Sequence, residues 1–131
     1  MKLELVNCDE QYWEFVRKLR IDPSNQEGFF THAEITPEQQ KTYMAINFGS
    51  YKICLADGEP SGYVGLLNGH EITYCVSPKF HGKGIGTFMI KEYAPRWGEV
   101  DAFVKIDNIA SQKVFEKLGW EKQFYYKFSK K

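Results

Sequence analysis

The stretch Val76-Ser77-Pro78-Lys79-Phe80-His81-Gly82-Lys83-Gly84-Ile85-Gly86-Thr87 decides the reading of this chain. An apolar strand, Ile72 to Val76, runs into a loop with glycine at alternate positions 82, 84 and 86. A helical pattern follows at once, with Ile85, Met89, Tyr93 and Trp97 four apart and Phe88 on the same face. A strand, a glycine loop and a helix start aim several backbone N–H groups at one place, where the helix dipole also favours negative charge. Glycine lets the backbone approach an anion closely, so the stretch reads as a phosphate cradle. It is not a nucleotide P-loop, which needs G-x-x-x-x-G-K-[ST]. Nor is it the dinucleotide fingerprint, whose G-x-G-x-x-G opens an early βαβ unit. A glycine-rich turn that merely joins strand to helix is the plainer alternative.

Upstream, Tyr51 to Ala56, Gly62 to Leu67 and His70 to Ser77 alternate as strands, separated by Asp57-Gly58 and Asn68-Gly69. Asp-Gly and Asn-Gly between apolar runs are strong hairpin signals, so the middle of the chain is an antiparallel meander. Lys2 to Val6 is a short first strand. Asp9 can cap a helix that buries Tyr12, Val16 and Leu19, with Trp13 beside them. Asp22 to Glu34 lacks periodicity and carries Phe29-Phe30, which suits a binding loop or a surface loop pinned to the core. Thr36-Pro37-Glu38-Gln39 is a capped helix start running to about Ile46. Downstream, Val100 to Lys105 reads as a strand. A helix follows from Asp107 or Asn108 to Gly119, its αL cap, and Trp120 to Phe128 as a last aromatic strand. The expected fold is an α/β layered domain spanning residues 1–131. It has a mixed sheet, the meander first and two crossover helices after it.

The chain has 131 residues with 17 Lys+Arg against 17 Asp+Glu, so no global basic field points to nucleic acid. Three cysteines, Cys8, Cys54 and Cys75, sit in apolar contexts without metal-ligand spacing or a disulfide framework. This favours a reducing, cytoplasmic setting. No signal peptide and no membrane-length apolar run are read in the sequence. The Lys-rich end, with Lys127, Lys130 and Lys131, reads as a solvated tail.

Two motifs together resemble the GNAT superfamily of acyl-CoA-dependent N-acetyltransferases. His81-Gly82-Lys83-Gly84-Ile85-Gly86 is similar to its R/Q-x-x-G-x-G/A turn. Asn108, Ser111, Phe115, Gly119 and Trp120 resemble its N-x-x-(A/S)-x-x-x-Y-x-x-x-G-F pattern. Gly62-Tyr63-Val64-Gly65 and His70 to Val76 look like its third and fourth strands. The resemblance implies acetyl-CoA in a V-shaped opening between the strand ending at Val76 and the strand from Val100. Gly82, Lys83, Gly84, Ile85, Gly86 and Thr87 would surround the pyrophosphate. Cys75 and Val76 would offer backbone to pantetheine amides, Asn108 and Ser111 would approach that arm, and Phe115 would lie near the thioester. Lys83 could pair with a CoA phosphate or be a solvated lysine.

The sequence departs from the family twice. His81 replaces Arg or Gln, and an imidazole donates to phosphate as a cation only below its ordinary pKa of ~6.5 unless the anion raises it. Phe115 stands where many relatives carry a tyrosine that protonates the departing thiolate. Either no acid is needed, or water, Tyr125 or Tyr126 substitutes.

Direct attack by an amine needs a base, because amines are mostly protonated at neutral pH. Glu71, on the face shared with Thr73 and Cys75, resembles the glutamate some members use; a solvated residue after a turn is its plain alternative. His32 and Glu34 are further candidates, and His70 reads as structural. The Val76 N–H is the expected oxyanion donor. Cys75 reads as a core thiol rather than a covalent nucleophile. The segment Arg17 to Phe30, then Ile35 to Gln40, resembles acetyltransferases of ribosomal-protein alanine and of amino-sugar nucleotides. The short chain leans toward a small amine acceptor. A protein N-terminal or lysine acetyltransferase and a non-catalytic acyl-CoA-binding module are the other readings. The exposed edge of the last strand is compatible with a homodimer.

Overall fold

The computed structural model describes residues 1–26, 29, 34–124, 126 and 128–130. Phe30, His32, Tyr125, Lys127 and Lys131, singled out above, lie outside the described residues. Strands β1 (Leu3–Asn7), β2 (Tyr51–Ala56), β3 (Glu59–Leu67) and β4 (Glu71–Val76) form an antiparallel sheet in sequence order. Asp57 (φ 49°) and Gly58 (φ 83°) close the first hairpin, with Ala56 opposite Glu59, as a two-residue primed turn requires. Ser61, fully buried, donates to the Cys54 carbonyl (2.9 Å) beside a register shift between Cys54 and Leu55.

The period of two sends alternate residues to opposite faces, and each face carries its own core. Cys54, Val64, Leu66 and Ile72 pack under α4 (Ile85–Tyr93) and α5 (Ile109–Lys117), meeting Ile85, Met89, Ile90, Tyr93 and Phe115. Tyr51, Ile53, Tyr63 and Cys75 pack on the other face under α1 (Trp13–Ile21) and α3 (Pro37–Asn47), against Val16, Leu19 and Met44. Each apolar side chain so buried contributes roughly 1.5–3 kcal/mol. The α3 start is a full capping box: Gln39 N–H donates to Thr36 Oγ1 (3.1 Å), and Thr36 N–H donates to Gln39 Oε1 (2.9 Å). At the far end of α5, Gly119 (φ 79°) donates to Glu116 O and Trp120 to Phe115 O, which is a Schellman cap.

The layered α/β class stands, with corrections of detail. Among the described residues the expected strand at Val100–Lys105 is one parallel bridge, Glu71 to Asp101. Ile72 N–H donates to Asp101 O, and Asp101 N–H donates to His70 O (2.8 Å each). Beyond that bridge the segment leaves β4, and the Gln112 amide of α5 donates to the carbonyls of Lys105 (3.2 Å) and Ile106 (2.8 Å). The mixed character of the sheet is therefore confined to that bridge. The expected strand at Trp120–Phe128 is likewise not built among the described residues, and Phe124, Tyr126 and Phe128 face solvent. The edge expected to carry a homodimer is thus not formed there. Asp22 to Glu34, read as irregular, includes a short helix α2 (Pro23–Gln26), nucleated where Ser24 N–H donates to Asp22 Oδ1 (2.9 Å). Helix α4 stops at Tyr93, and a 3-10 turn at Ala94–Arg96 leads to Trp97, whose ring lies 5.9 Å from that of Tyr93.

Candidate active site

The divergence of residues 102–106 from β4 opens a cleft of about 730 Å³. Antiparallel pairing decides which backbone groups face it. Ser77 N–H donates to Ser61 O, so Ser77 and, by alternation, Cys75 and Thr73 pair inward with β3. Tyr74 and Val76 then turn their N–H and C=O groups outward, as Ile72 does where it meets Asp101. This corrects one expectation: the Cys75 backbone is spent on the Tyr63 pair, and Tyr74 takes its place beside Val76 at the opening. The Cys75 side chain is buried (7% exposed) under α1, and burial pushes its thiol up to about 12, a rise that Arg20 opposes and Asp22 reinforces. A thiol held protonated in this way is a poor nucleophile.

The glycine loop joins β4 to α4. Gly82 (φ 77°) and Gly84 (φ 78°) are left-handed, and Gly84 is the N-cap of α4. The first α-helical bond is Phe88 N–H to Gly84 O (3.1 Å), so the N–H groups of Ile85, Gly86 and Thr87 point out of the helix start into the cleft they line. Left-handed residues between ordinary ones turn successive N–H groups to one side, an anion-binding concavity. Gly86, inside the helix, is glycine for a different reason: a Cβ there would stand 3.0 Å from Cε2 of Tyr74. Lys83 is exposed on the same loop. The His81 ring does something else. Its Nε2–H donates to the Val76 carbonyl (2.9 Å), which fixes the end of β4 and leaves only Nδ1 for an anion.

On α5, Asn108 is the N-cap: its Oδ1 accepts from Ser111 N–H (3.2 Å), which commits that oxygen to the helix. Ser111 Oγ is hydrogen-bonded to Tyr74 Oη (2.7 Å), tying α5 to β4 across the cleft. Phe115, one turn on, meets the Tyr74 ring edge-on (centroids 6.1 Å, 71°) and the Trp120 ring at 4.9 Å. Burial raises the Tyr74 pKa, partly offset by the Ser111 hydrogen bond.

Glu71 also lines the cleft, at the start of β4 on the face opposite to Tyr74. That half is walled by Arg20, Ser24, Asn25 and Phe29, with the Arg20 guanidinium 5.0 Å over the Phe29 ring. The candidate binding loop thus reaches the cleft through Phe29. Glu34 is exposed and not among the lining residues, and His70 Nδ1 turns back to Asn68 O (2.9 Å) as a structural group. Tyr74 is a lining residue not singled out in the sequence, and Arg20 figures there only within the acceptor segment. The parity of β4 could have found Tyr74, since it shares the helix side with Ile72 and Val76.

Residues 2–121 match the family model of the acetyltransferase (GNAT) domain. No protein of curated function matches the sequence. Among solved structures, the fold is similar to aminoglycoside N-acetyltransferase AAC(6')-Iy in complex with CoA, at 17% identity over 99% of this chain and 95% of that one, TM-score 0.71. It is similar to spermidine N-acetyltransferase from Vibrio cholerae in complex with CoA and spermine, at 15% identity over 89% and 79%, TM-score 0.79. A GNAT-family acetyltransferase from Bacillus anthracis matches at 18% identity over 96% and 84%, TM-score 0.73.

Proposed function

The chain belongs to the GNAT acetyltransferase family, which makes it an acetyl-CoA-dependent N-acetyltransferase, and from that premise we propose that it acetylates the primary amine of a small acceptor by direct attack. The observation that carries the reading is the two-sided cleft. One side offers an outward-facing β4 edge running into an N–H cradle; the other offers a carboxylate, Glu71, within a half closed by Phe29 and α2. In this reading the cradle from Gly82 to Thr87 takes the CoA pyrophosphate, and the Tyr74 backbone, with the second lone pair of the Val76 carbonyl, takes the pantetheine arm. Glu71 accepts the amine proton. The Val76 N–H steadies the tetrahedral oxyanion with a dipole already in position. Two of the structural relatives are named for small amines, an aminoglycoside and spermidine, which supports an acceptor of that size. The Arg20–Phe29 pair favours one that also bears an anionic or planar group, and an amino-sugar nucleotide combines both.

The test is thiol release from acetyl-CoA against a panel of amino-sugar nucleotides, aminoglycosides, polyamines and peptide N-termini. Turnover with a small amine and none with peptides supports the proposal. Turnover confined to peptides would replace it with a protein acetyltransferase. Binding without turnover on the whole panel would favour an acyl-CoA-binding module.

A further inference from the structure

The family pattern puts a tyrosine where this chain has Phe115, and a phenyl ring has no proton to offer the departing sulfur. Tyr74 comes from a different element and reaches the same neighbourhood. Its ring lies against Phe115, rests close to Gly86, and carries its hydroxyl to Ser111. All four residues line the cleft. Three contacts from α4 and α5 therefore fix one phenol of β4 beside the place where relatives carry theirs.

Resting on the acetyltransferase reading above, we propose that the Tyr74 hydroxyl is the hydrogen-bond donor to the CoA sulfur as it leaves, with Ser111 as the positioning residue that holds it. The two hydroxyls lie 2.7 Å apart and either can donate; in the proposed arrangement Ser111 Oγ–H donates to Tyr74 Oη, which frees the phenolic O–H for the sulfur and polarises it. In the step itself the tetrahedral intermediate collapses. The carbonyl re-forms, the C–S bond breaks, and its electron pair passes to sulfur. The thiolate departs hydrogen-bonded to Tyr74, which keeps its proton; solvent protonates the released CoA. Glu71 returns the amine proton to solvent. A phenol suits the role because its partly buried setting disfavours the phenolate, so it stays a donor throughout the working pH range. The role needs no residue at 115 beyond a ring that packs.

The experiment follows the thiolate absorbance of CoA bound to the full chain as pH rises, in wild type, Tyr74→Phe and Ser111→Ala, alongside calorimetric binding of CoA. Tyr74→Phe keeps the ring and its packing. The bound thiol pKa is expected to rise by about one unit or more in Tyr74→Phe, and kcat to fall about tenfold or more with an unchanged KM for acetyl-CoA, the scale of one hydrogen bond to a charged atom. Ser111→Ala is expected to shift both in the same direction by less. An equal thiol pKa in wild type and Tyr74→Phe, with CoA bound equally well, overturns the proposal. Failure of wild type to bind CoA overturns the acetyltransferase reading instead, so the two failures are distinguishable.

Discussion

Glu71 and Cys75 share a face of β4 and stand four residues apart, yet the proposed reaction gives them opposite parts. Glu71 borders the open cleft, where a carboxylate can exchange a proton with solvent. Replacing it by Gln removes the proposed base and little else. Glu71→Gln is expected to lower kcat by about 10²–10⁴-fold with acetyl-CoA affinity intact, measured by thiol release and calorimetry. Unchanged turnover would take the role away from Glu71. Cys75 is buried and its thiol is pushed up to about 12, so no acyl-enzyme is expected. Intact mass after incubation with acetyl-CoA in the absence of amine should be unchanged; a gain of one acetyl group would contradict direct attack. At this scale the sequence is partly legible. Motif spacing locates Gly84, Asn108 and Phe115. It does not reveal that His81 turns back to Val76 O or that Asn108 Oδ1 is committed to Ser111 N–H. Those are side-chain choices among several donors and acceptors, and the spacing of residues does not select among them.

The cradle is an element whose shape rests on a backbone state. Gly84 is left-handed at φ 78°, and a Cβ there would meet no atom within 4 Å. The cost of Gly84→Ala is therefore conformational, roughly 1–2 kcal/mol. Thr36→Ala, which removes the capping box of α3 away from the cleft, costs a similar ~1 kcal/mol. Both variants should melt at lower temperature, and only Gly84→Ala should weaken acetyl-CoA binding. Equal affinities in the two would reduce the glycine loop to a turn. Elements held by local signals are legible in the sequence: the Asp57-Gly58 hairpin, the Thr36 cap and the Gly119 terminus each follow from residues within a few positions. The strands expected at Val100–Lys105 and Trp120–Phe128, which are not built among the described residues, are a different case. Their alternation is real, but a strand needs a neighbour. Past Asp101 the carbonyls of Lys105 and Ile106 accept from the Gln112 amide of α5.

Across the whole molecule, a sheet with a core on each face delivers both halves of the cleft to one edge of β4, where the last pairing partner departs after Asp101. Burial on those faces also sets a pH limit. The thiols of Cys8 and Cys75 are raised from 9.0 to about 12, and Tyr51 and Tyr63 are raised as well. A raised acid binds its proton more tightly folded than unfolded. That stability is fully present below pH 9 and is lost as pH rises toward 12. Urea midpoints should fall across this window, with a shallower fall in Cys8→Ala; a flat profile would contradict the burial of these groups. Among the described residues no helix is long and apolar enough to cross a membrane. The measurement that tests the account most directly is calorimetric titration of the full chain with acetyl-CoA. Saturable binding of one acetyl-CoA per chain is the expected result, and a titration without saturable heat or thermal stabilisation would contradict a donor site at the β4 edge.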